Sequence, residues 1–199
     1  MTTSTQRRDH VASDKATAAG HQHAQAPVRW RNAVRSGSLA SVLSTVAISV
    51  CSRLRVGSAA AGTNAASQWV WYPRARFQHA PSRRYTTVGY LIHHASSLFW
   101  AAGYEAMHPG RATQGGRVAR AAGIAALAYL VDYHVVPRRL SPGFEHKVGP
   151  AGMVTVYAAF AAGLWASTLL ADRAPRRRQL ARQRQTAQHD RRRDDRQPR

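Results

Sequence analysis

The sequence predicts an all-α integral membrane protein with four transmembrane helices and disordered basic tails. Four predominantly apolar segments each approach the roughly 20 residues that a helix needs to cross a bilayer. The chain carries 29 Lys and Arg against 9 Asp and Glu, a net charge of +20, yet residues 149–171 contain no charged side chain. Trp and Tyr lie near several segment ends, as they do at membrane interfaces. The predicted spans are residues 36–52, 86–107, 118–136 and 149–171.

The first apolar segment, residues 36–52, is short and rich in serine, and Arg35 and Arg53 bound it closely. The alternative interpretation of this segment is the hydrophobic region of a signal peptide. The basic stretch before it is long for a signal peptide, and Arg53 and Arg55 occupy the place expected for a cleavage site. We therefore predict a membrane span here.

The other three segments are crowded into residues 86–171, and the sequence offers no surrounding amphipathic helices that would cover their apolar faces in water. Gly and Ala are frequent within them, as transmembrane helices tolerate. In the fourth segment, Ala159 with Gly163 and Ala162 with Ala166 have the spacing that permits close helix approach. Packing within the chain is favoured over dimerisation as the role of these pairs.

The loop charges predict the orientation. With four spans, both chain ends lie on one side of the membrane, and that side carries 20 of the 29 basic residues. Basic residues concentrate on the cytoplasmic side, so both termini are predicted to be cytoplasmic. Residues 53–85 then form a long outer loop, in which the aromatic and basic residues 69–77 suit the lipid surface. Pro137, Pro142 and Pro150 bracket a second, compact outer loop.

The two tails, residues 1–35 and 172–199, are predicted to be disordered because they bury too little apolar area to offset chain entropy. A basic cluster beside a span is attracted to anionic lipid headgroups, by about 1 kcal/mol per residue. Nucleic acid attracts the same charge, but the arginine-rich tail has no aromatic residue for base stacking. Membrane lipids are therefore the predicted partner; a protein partner and the oligomeric state stay open. The predicted lipid-binding residues are Arg173, Arg176, Arg177 and Arg178.

Two predicted spans carry ionisable residues, which are costly at membrane depth and mark candidate sites. Small and polar residues recur on one face of each helix: Gly89, His93, Ser97 and Ala101 in the second span, and Ala121, Ala125, Ala128 and Asp132 in the third. In antiparallel spans, His93 and Asp132 both lie roughly 7 to 11 Å below the outer end, so we expect the two stripes to face each other and these side chains to pair. The pair serves as interhelical polar contact, as a proton relay or pH sensor, or as part of a metal site.

Further polar residues are candidates for accessory roles: His94, Ser97, Glu105 and His134. Glu105 and His108 have the i, i+3 spacing of half a carboxylate-bridged di-iron site. That motif occurs once and lies roughly 18 Å along the helix from His93, which argues against a joint cluster. We therefore predict no metal site, no cofactor and no catalytic residue.

One stretch of the second span resembles a known family. The pattern H-x-x-x-S-x-x-x-A-x-G-Y from His93 to Tyr104 is similar to the second span of the YagU-like bacterial inner-membrane proteins, as are the Ala-Gly pair at 122–123 and the Leu-Ser-Pro at 140–142. The resemblance covers roughly residues 36–171. It implies a small multi-span inner-membrane protein with a link to acid resistance. The basic tails and Asp132 depart from the family's pattern.

Together these features predict a non-enzymatic protein of the bacterial inner (plasma) membrane that supports envelope or acid-stress tolerance. One alternative is a small transporter or proton pathway that uses the His93 and Asp132 pair. The other is a metal-dependent membrane oxidoreductase.

Overall fold

The computed structural model describes the backbone of residues 30–107 and 112–194, and the side chains of these ranges up to residue 172. All regular structure in this part of the chain is helical. In chain order the helices are α1 (Trp30–Val56), α2 (Ala60–Ala66), α3 (Gln68–Trp71), α4 (Tyr85–Ala106), α5 (Gln114–Leu130) and α6 (Glu145–Asp194), with a 3₁₀ turn at Arg74–Phe77 and a π-helical turn at Val131–Val135.

Helix α1 is the centre of the bundle: α6, α4 and the short α2 all pack against it. Helix α5 packs mainly on α6 and only slightly on α4. The long helices run antiparallel in sequence order, which gives the bundle two different ends. We call the end that holds α2, α3 and residues 137–144 the capped end. The end that holds Trp30, Met107 and Asp172 is the tail end.

Two helical segments, Trp30–Val56 and Glu145–Asp172, are long and apolar enough to cross a membrane. Helices α4 and α5 do not have both the length and the apolar character that those two segments have. Helix α5 has only 17 residues before its π-helical turn, and small and polar residues dilute the hydropathy of α4. The predicted all-helical class is therefore confirmed, and the membrane-length segments in the described chain are the first and the fourth.

The face that α1 turns towards the bundle is small and polar. The residues buried there are Ala33, Ser36, Gly37, Ala40, Ser41, Ser44, Ile48 and Ser52. Most of the large apolar side chains point outwards, and the exposed ones are Trp30, Val34, Val42, Leu43, Val46, Val50 and Leu54. This arrangement is the reverse of a helix on a water-soluble protein, whose apolar stripe faces the core. The serines that made the first span look weak in the sequence are thus its packing face.

Glycines set the distances between the helices. A Cβ on Gly163 of α6 would lie 2.7 Å from the backbone nitrogen of Ala40. A Cβ on Gly89 of α4 would lie 3.0 Å from the carbonyl carbon of Thr63 in α2, and closer still to its oxygen. Because neither position has room for a methyl group, both helix pairs approach more closely than other residues would allow.

The capped end replaces the loop that the sequence predicts for residues 53–85. Most of this stretch is helical, and the residues from Ala61 to Ala66 are buried between α1 and α4. Alanine, glycine and threonine are small enough for a short helix to fit there. The aromatic residues that follow are partly exposed, with Trp69 39% and Phe77 65% exposed. This aromatic part retains the surface position that the sequence indicates, as do the flanking residues 53–55 and 79–81.

Helix α6 bends at Gly149, whose φ of 71° is outside the helical region. The guanidinium of Arg55 lies against this glycine, where a side chain would collide with it. Glycine therefore serves two needs here, since it adopts positive φ without strain and leaves room for the arginine.

The sequence predicts disorder after Ala171, whereas the backbone of α6 stays helical through Asp194. Arginine, glutamine and alanine are frequent in this stretch and are good helix formers. The long apolar helix before it also supplies the nucleus that an isolated helix would have to form. At the other end, α1 begins at Trp30 rather than Ser36. The rest of the predicted N-terminal tail, residues 1–29, lies outside the described residues.

Candidate functional site

A small cavity of about 50 Å³ lies in the capped half of the bundle. Helices α1, α4, α5 and α6 border it, together with the π-helical turn and residues 140–144. Aromatic and aliphatic side chains form most of its wall, and a few polar groups converge on it, as in many binding sites for small molecules. The polar residues are Ser44, His93, Ser96, Ser97, Asp132 and Tyr157.

His93 is hydrogen-bonded to α1. Its Nε2 lies 2.8 Å from Ser44 Oγ. Ser44 already donates its single hydroxyl proton to the carbonyl oxygen of Ala40, 2.8 Å away. The imidazole therefore donates to the serine through Nε2–H, which leaves Nδ1 of the neutral ring as an acceptor. The edge of the His93 ring also packs against Phe144, with ring centroids 6.4 Å apart.

Asp132 is hydrogen-bonded to α6. The hydroxyl of Tyr157 donates to Asp132 Oδ2 over 2.7 Å. Asp132 lies in the π-helical turn, where the amide of Val136 donates to the carbonyl oxygen of Val131, 3.0 Å away. The wider turn shifts the register of α5 at its end, and such turns recur at functional sites. The sequence periodicity of α5 contains no signal for this change.

The structure thus brings His93 and Asp132 to one cavity but gives them different hydrogen-bond partners. The sequence predicts that the stripes of the second and third spans face each other. In the structure the α4 stripe contacts α1 and α2, through Gly89 against Thr63 and through His93 against Ser44. Its last member, Ala101, shares a buried cluster with Ala121 and Ala125 of α5. The stripe pattern showed which face of α4 is buried, but not which helix would cover it.

Sequence reasoning missed Ser44 and Tyr157 as site residues. Ser44 belongs to a series of serines at helical spacing, Ser41, Ser44 and Ser52 among them, that line the buried face of α1. That spacing was a usable signal. Tyr157 looks like an interfacial aromatic in the sequence, and nothing in its neighbourhood distinguishes it from the other tyrosines.

The accessory residues of the predicted site have separate roles. Ser97 lines the cavity, and its hydroxyl donates to the carbonyl oxygen of His93, 2.8 Å away. His94 stacks on Tyr90, with centroids 5.7 Å apart. His134 is exposed and packs edge-on against Tyr129 at 5.6 Å. Of these three predicted residues, only Ser97 lines the cavity.

Glu105 lies at the tail end, away from the cavity. It borders a separate pocket of about 300 Å³ together with Arg35, Arg117 and Asp172. Arg117 and Asp172 form an ion pair that links α5 to α6. His108, which has the i, i+3 spacing to Glu105, lies outside the described residues. In the described part of the chain, no three His, Cys, Asp or Glu side chains are grouped closely enough to hold a metal ion.

The predicted lipid-binding arginines fall on the continuation of α6 beyond Asp172, where the helical backbone is described and the side chains are not. On a helix, residues three and four apart share a face. Arg173, Arg176 and Arg177 therefore belong to one face of α6, and Arg178 is displaced from it.

A buried asparagine organises the capped end above the cavity. Asn64 of α2 donates from Nδ2 to the carbonyl oxygens of Gln78 and Ala80, at 3.1 and 2.9 Å. Its Oδ1 accepts a hydrogen bond from the hydroxyl of Thr86, 2.6 Å away. Two of these bonds connect α2 to the chain that leads into α4, and the third connects it to the first turn of α4, so one side chain fixes the segment that the sequence predicts to be a loop.

Two further polar contacts connect the capped end to the entry of α6. Gln68 Nε2 donates to the carbonyl oxygens of Ser141 and Arg138, at 2.6 and 3.1 Å. Lys147 is 8% exposed, and its Nζ donates to Nε2 of His79 over 2.9 Å. The short helices are thereby held to residues far along the chain.

No protein-family model, curated protein or solved structure matches this chain. The resemblance to the YagU-like proteins therefore stays a prediction, and the cavity is interpreted from its own geometry.

Proposed function

We propose that this chain is a non-enzymatic, four-span protein of the bacterial inner membrane that supports envelope or acid-stress tolerance. The single observation that carries the membrane assignment is the reversed burial of α1, with serine, alanine and glycine inside and valine and leucine outside. In lipid, close packing and hydrogen bonds hold helices together, so interfaces use small and polar residues and the large apolar side chains face the acyl chains.

The free-energy cost that these exposed side chains would have in water supports the membrane assignment. Burying a valine or leucine side chain stabilises a protein in water by roughly 1.5 to 3 kcal/mol. Helix α1 leaves six such side chains exposed, and Leu54 is 82% exposed. On α6, Val154 is 73% and Leu170 56% exposed. In a bilayer these side chains would lie in the apolar solvent that they require.

The four-span topology extends the assignment to α4 and α5. Both helices also expose large apolar side chains, among them Leu91 and Phe99 on α4 and Leu127 and Leu130 on α5. Because α4 and α5 pack alongside α1 and α6, a membrane that contains α1 and α6 would contain these two helices as well. The distribution of basic residues favours a cytoplasmic position for the tail end and both termini.

Topology reporters test this proposal directly. Alkaline phosphatase is fused after Ser82, Arg111, Ser141 or Asp194, since this enzyme is active only outside the cytoplasm. With four spans, activity is expected after Ser82 and Ser141 and is absent after Arg111 and Asp194. A protein that spans only through α1 and α6 would also give activity after Arg111. That result, or release of the native chain by alkaline carbonate washing, would overturn the four-span proposal.

The physiological part of the proposal is tested by survival in acid. A strain that lacks the gene is expected to survive an acid challenge less well than its parent, and the intact gene is expected to restore survival. Complementation with His93→Ala then separates two roles of the cavity. Reduced thermal stability with full acid survival would assign His93 a packing role, whereas equal survival of the deletion strain and the parent would contradict the acid-tolerance proposal.

A proton pathway is the second candidate, because His93 and Asp132 border the same cavity. The tail half of the bundle below this cavity is packed with apolar side chains, including Ala40, Phe160 and Leu164. The protein is reconstituted into vesicles that contain a pH-sensitive dye. Proton flux that Asp132→Asn abolishes would favour this second candidate, and the absence of flux above that of empty vesicles would reject it.

A further inference from the structure

The outer surface between α4 and the π-helical turn contains a groove of about 590 Å³. Its lining is mainly apolar, with Val88, Leu91, Phe99 and Val131 along its length. Groove and cavity lie on two sides of the same layer of side chains. Six residues border both of them: Trp69, Ile92, Ser96, Trp100, Asp132 and Leu140.

We propose that the groove and the cavity together bind a single-chain lipid with a neutral hydroxyl head, such as a fatty alcohol. The chain lies in the groove, and the hydroxyl reaches between α4 and the π-helical turn to the polar side of the cavity. This inference rests on the proposed membrane embedding, since the groove then opens into the bilayer. It adds a ligand class to the cavity described above.

The polar groups of the cavity call for a hydrogen-bond donor. Among the described residues, Tyr157 is the hydrogen-bond partner of Asp132, and it uses only Oδ2. A carboxylate accepts several hydrogen bonds, so Oδ1 has capacity for another donor. Nε2–H of His93 donates a hydrogen bond to Ser44, and its Nδ1 is an acceptor. A hydroxyl supplies the donor that these acceptors lack.

The size and charge of the cavity limit the head to a small neutral group. A water molecule needs roughly 10 to 15 Å³ of cavity volume. The cavity of about 50 Å³ therefore holds a hydroxyl and one or two carbon atoms. A phosphate or sugar head is larger than this. An anionic carboxylate would also lie beside Asp132 in a largely apolar surrounding, where like charges are disfavoured.

The position of Asp132 favours a lipid over a second copy of the chain. Asp132 is the carboxylate that borders both spaces, so an occupant of the groove must satisfy it or leave it facing apolar atoms. A transmembrane helix, about 10 Å wide with its side chains, would cover the groove without entering the cavity. A lipid satisfies both surfaces at once, because its chain is apolar and its end is a donor.

Photoaffinity labelling tests the proposal on the full-length protein in lipid nanodiscs. The probe is hexadecanol that carries a diazirine and a terminal alkyne, and the competitors are hexadecanol and palmitic acid. Labelling is expected on the peptides of α4 and the π-helical turn that line the groove, and hexadecanol is expected to compete at a concentration about ten-fold lower than palmitic acid. Two variants of the site should reduce labelling. Ser96→Trp places a large side chain between the groove and the cavity, and Phe99→Ala removes a side chain that lines the groove.

The matched control is Ala126→Trp, because Ala126 lines a separate groove between α5 and α6. It should leave labelling unchanged. Phe99 is 69% exposed, so Phe99→Ala is expected to fold even if Ser96→Trp does not. Asp132→Asn, which removes the charged acceptor, should weaken competition by hexadecanol about ten-fold.

Three results would overturn the inference: labelling spread evenly over all helices, labelling unaffected by Phe99→Ala, or equal competition by palmitic acid. The topology reporters distinguish this failure from that of the proposed function. If the reporter after Arg111 is inactive and groove labelling fails, only the lipid site is rejected. If that reporter is active, the embedding of α4 and α5 is rejected, and with it the opening of the groove into the bilayer.

Discussion

At the capped end of the bundle, buried polar side chains hold the helices together, whereas in the tail half close packing of small residues does so. Asn64 makes three hydrogen bonds from α2, two to the chain before α4 and one to Thr86 in its first turn. Gln68 is hydrogen-bonded to residues 138 and 141. In the tail half, Ala40 and Ala101 are fully buried in a cluster with Leu164, and Gly163 brings α6 against α1.

The difference between the halves follows from the kinds of backbone that they contain. The capped end includes short helices, turns and connections, whose amide and carbonyl groups need partners wherever they are buried. Polar side chains provide those partners. The tail half consists of long helices whose backbone hydrogen bonds are made within each helix. Its side chains therefore do not have to bond to the backbone, and small ones allow the helices to pack closely.

The largest expected effect tests the closest contact at the capped end. Gly89→Ala places a methyl group against the backbone of Thr63, and we expect a loss of about 3 kcal/mol in the free energy of unfolding, since overpacking of this kind costs up to that much. Gly103→Ala in the same helix is the control, because a Cβ there meets nothing within 4 Å. Unfolding in detergent measures both variants, and equal stabilities would contradict the close approach of α2 and α4.

The second prediction applies the same comparison to the tail half. Gly163→Ala is expected to destabilise the protein by about 2 kcal/mol, because the new methyl group would overlap the backbone of Ala40. Gly123→Ala on α5 is the matched control, with open space around its Cβ. It should be neutral or slightly stabilising, as alanine is the better helix former. If the two variants unfold alike, α1 and α6 are not packed as described.

The third prediction addresses the hydrogen bonds of the capped end. Asn64→Leu removes the donor that serves the carbonyl oxygens of Gln78 and Ala80, and we expect a loss of about 2 kcal/mol, since buried groups without partners are costly. Hydrogen exchange should rise in residues 78–86. Thr155→Val serves as control, because Thr155 is exposed and bonds only within its own helix. Unchanged exchange in residues 78–86 would show that Asn64 does not fix this segment.

The smallest expected effect lies at the cavity in the capped half. Ser44→Ala removes the acceptor for His93 Nε2, and a loss of about 1 kcal/mol is expected, as for other hydrogen bonds between membrane helices. Ser167→Ala is the control, because Ser167 bonds only to the carbonyl oxygen of Leu164. A double variant with His93→Phe measures the coupling. Additive losses would mean that the two side chains do not interact.

Sequence reasoning predicted a helix at residues 86–107, within one residue at each end of α4, which runs from Tyr85 to Ala106. It also placed His93 and Asp132 at a common depth, and the two side chains border one cavity. It missed their partners, because hydrogen bonds between helices depend on which helices are neighbours. It missed the burial of α2 as well. A stretch of small residues resembles a loop in the sequence, and its burial depends on the surfaces of α1 and α4 that cover it.

The sequence by itself determined the helical class and the segregation of charge from the apolar segments. These properties follow from local composition, since a helix satisfies its own backbone and apolar side chains avoid water. The tertiary structure decided that α4 faces α1, that Ser44 and Tyr157 complete the cavity, and that residues 53–85 form a packed cap. Those outcomes depend on how well surfaces from distant parts of the chain fit together. Glycine and alanine permit close packing at many places, and the complete set of contacts decides which of these packings forms.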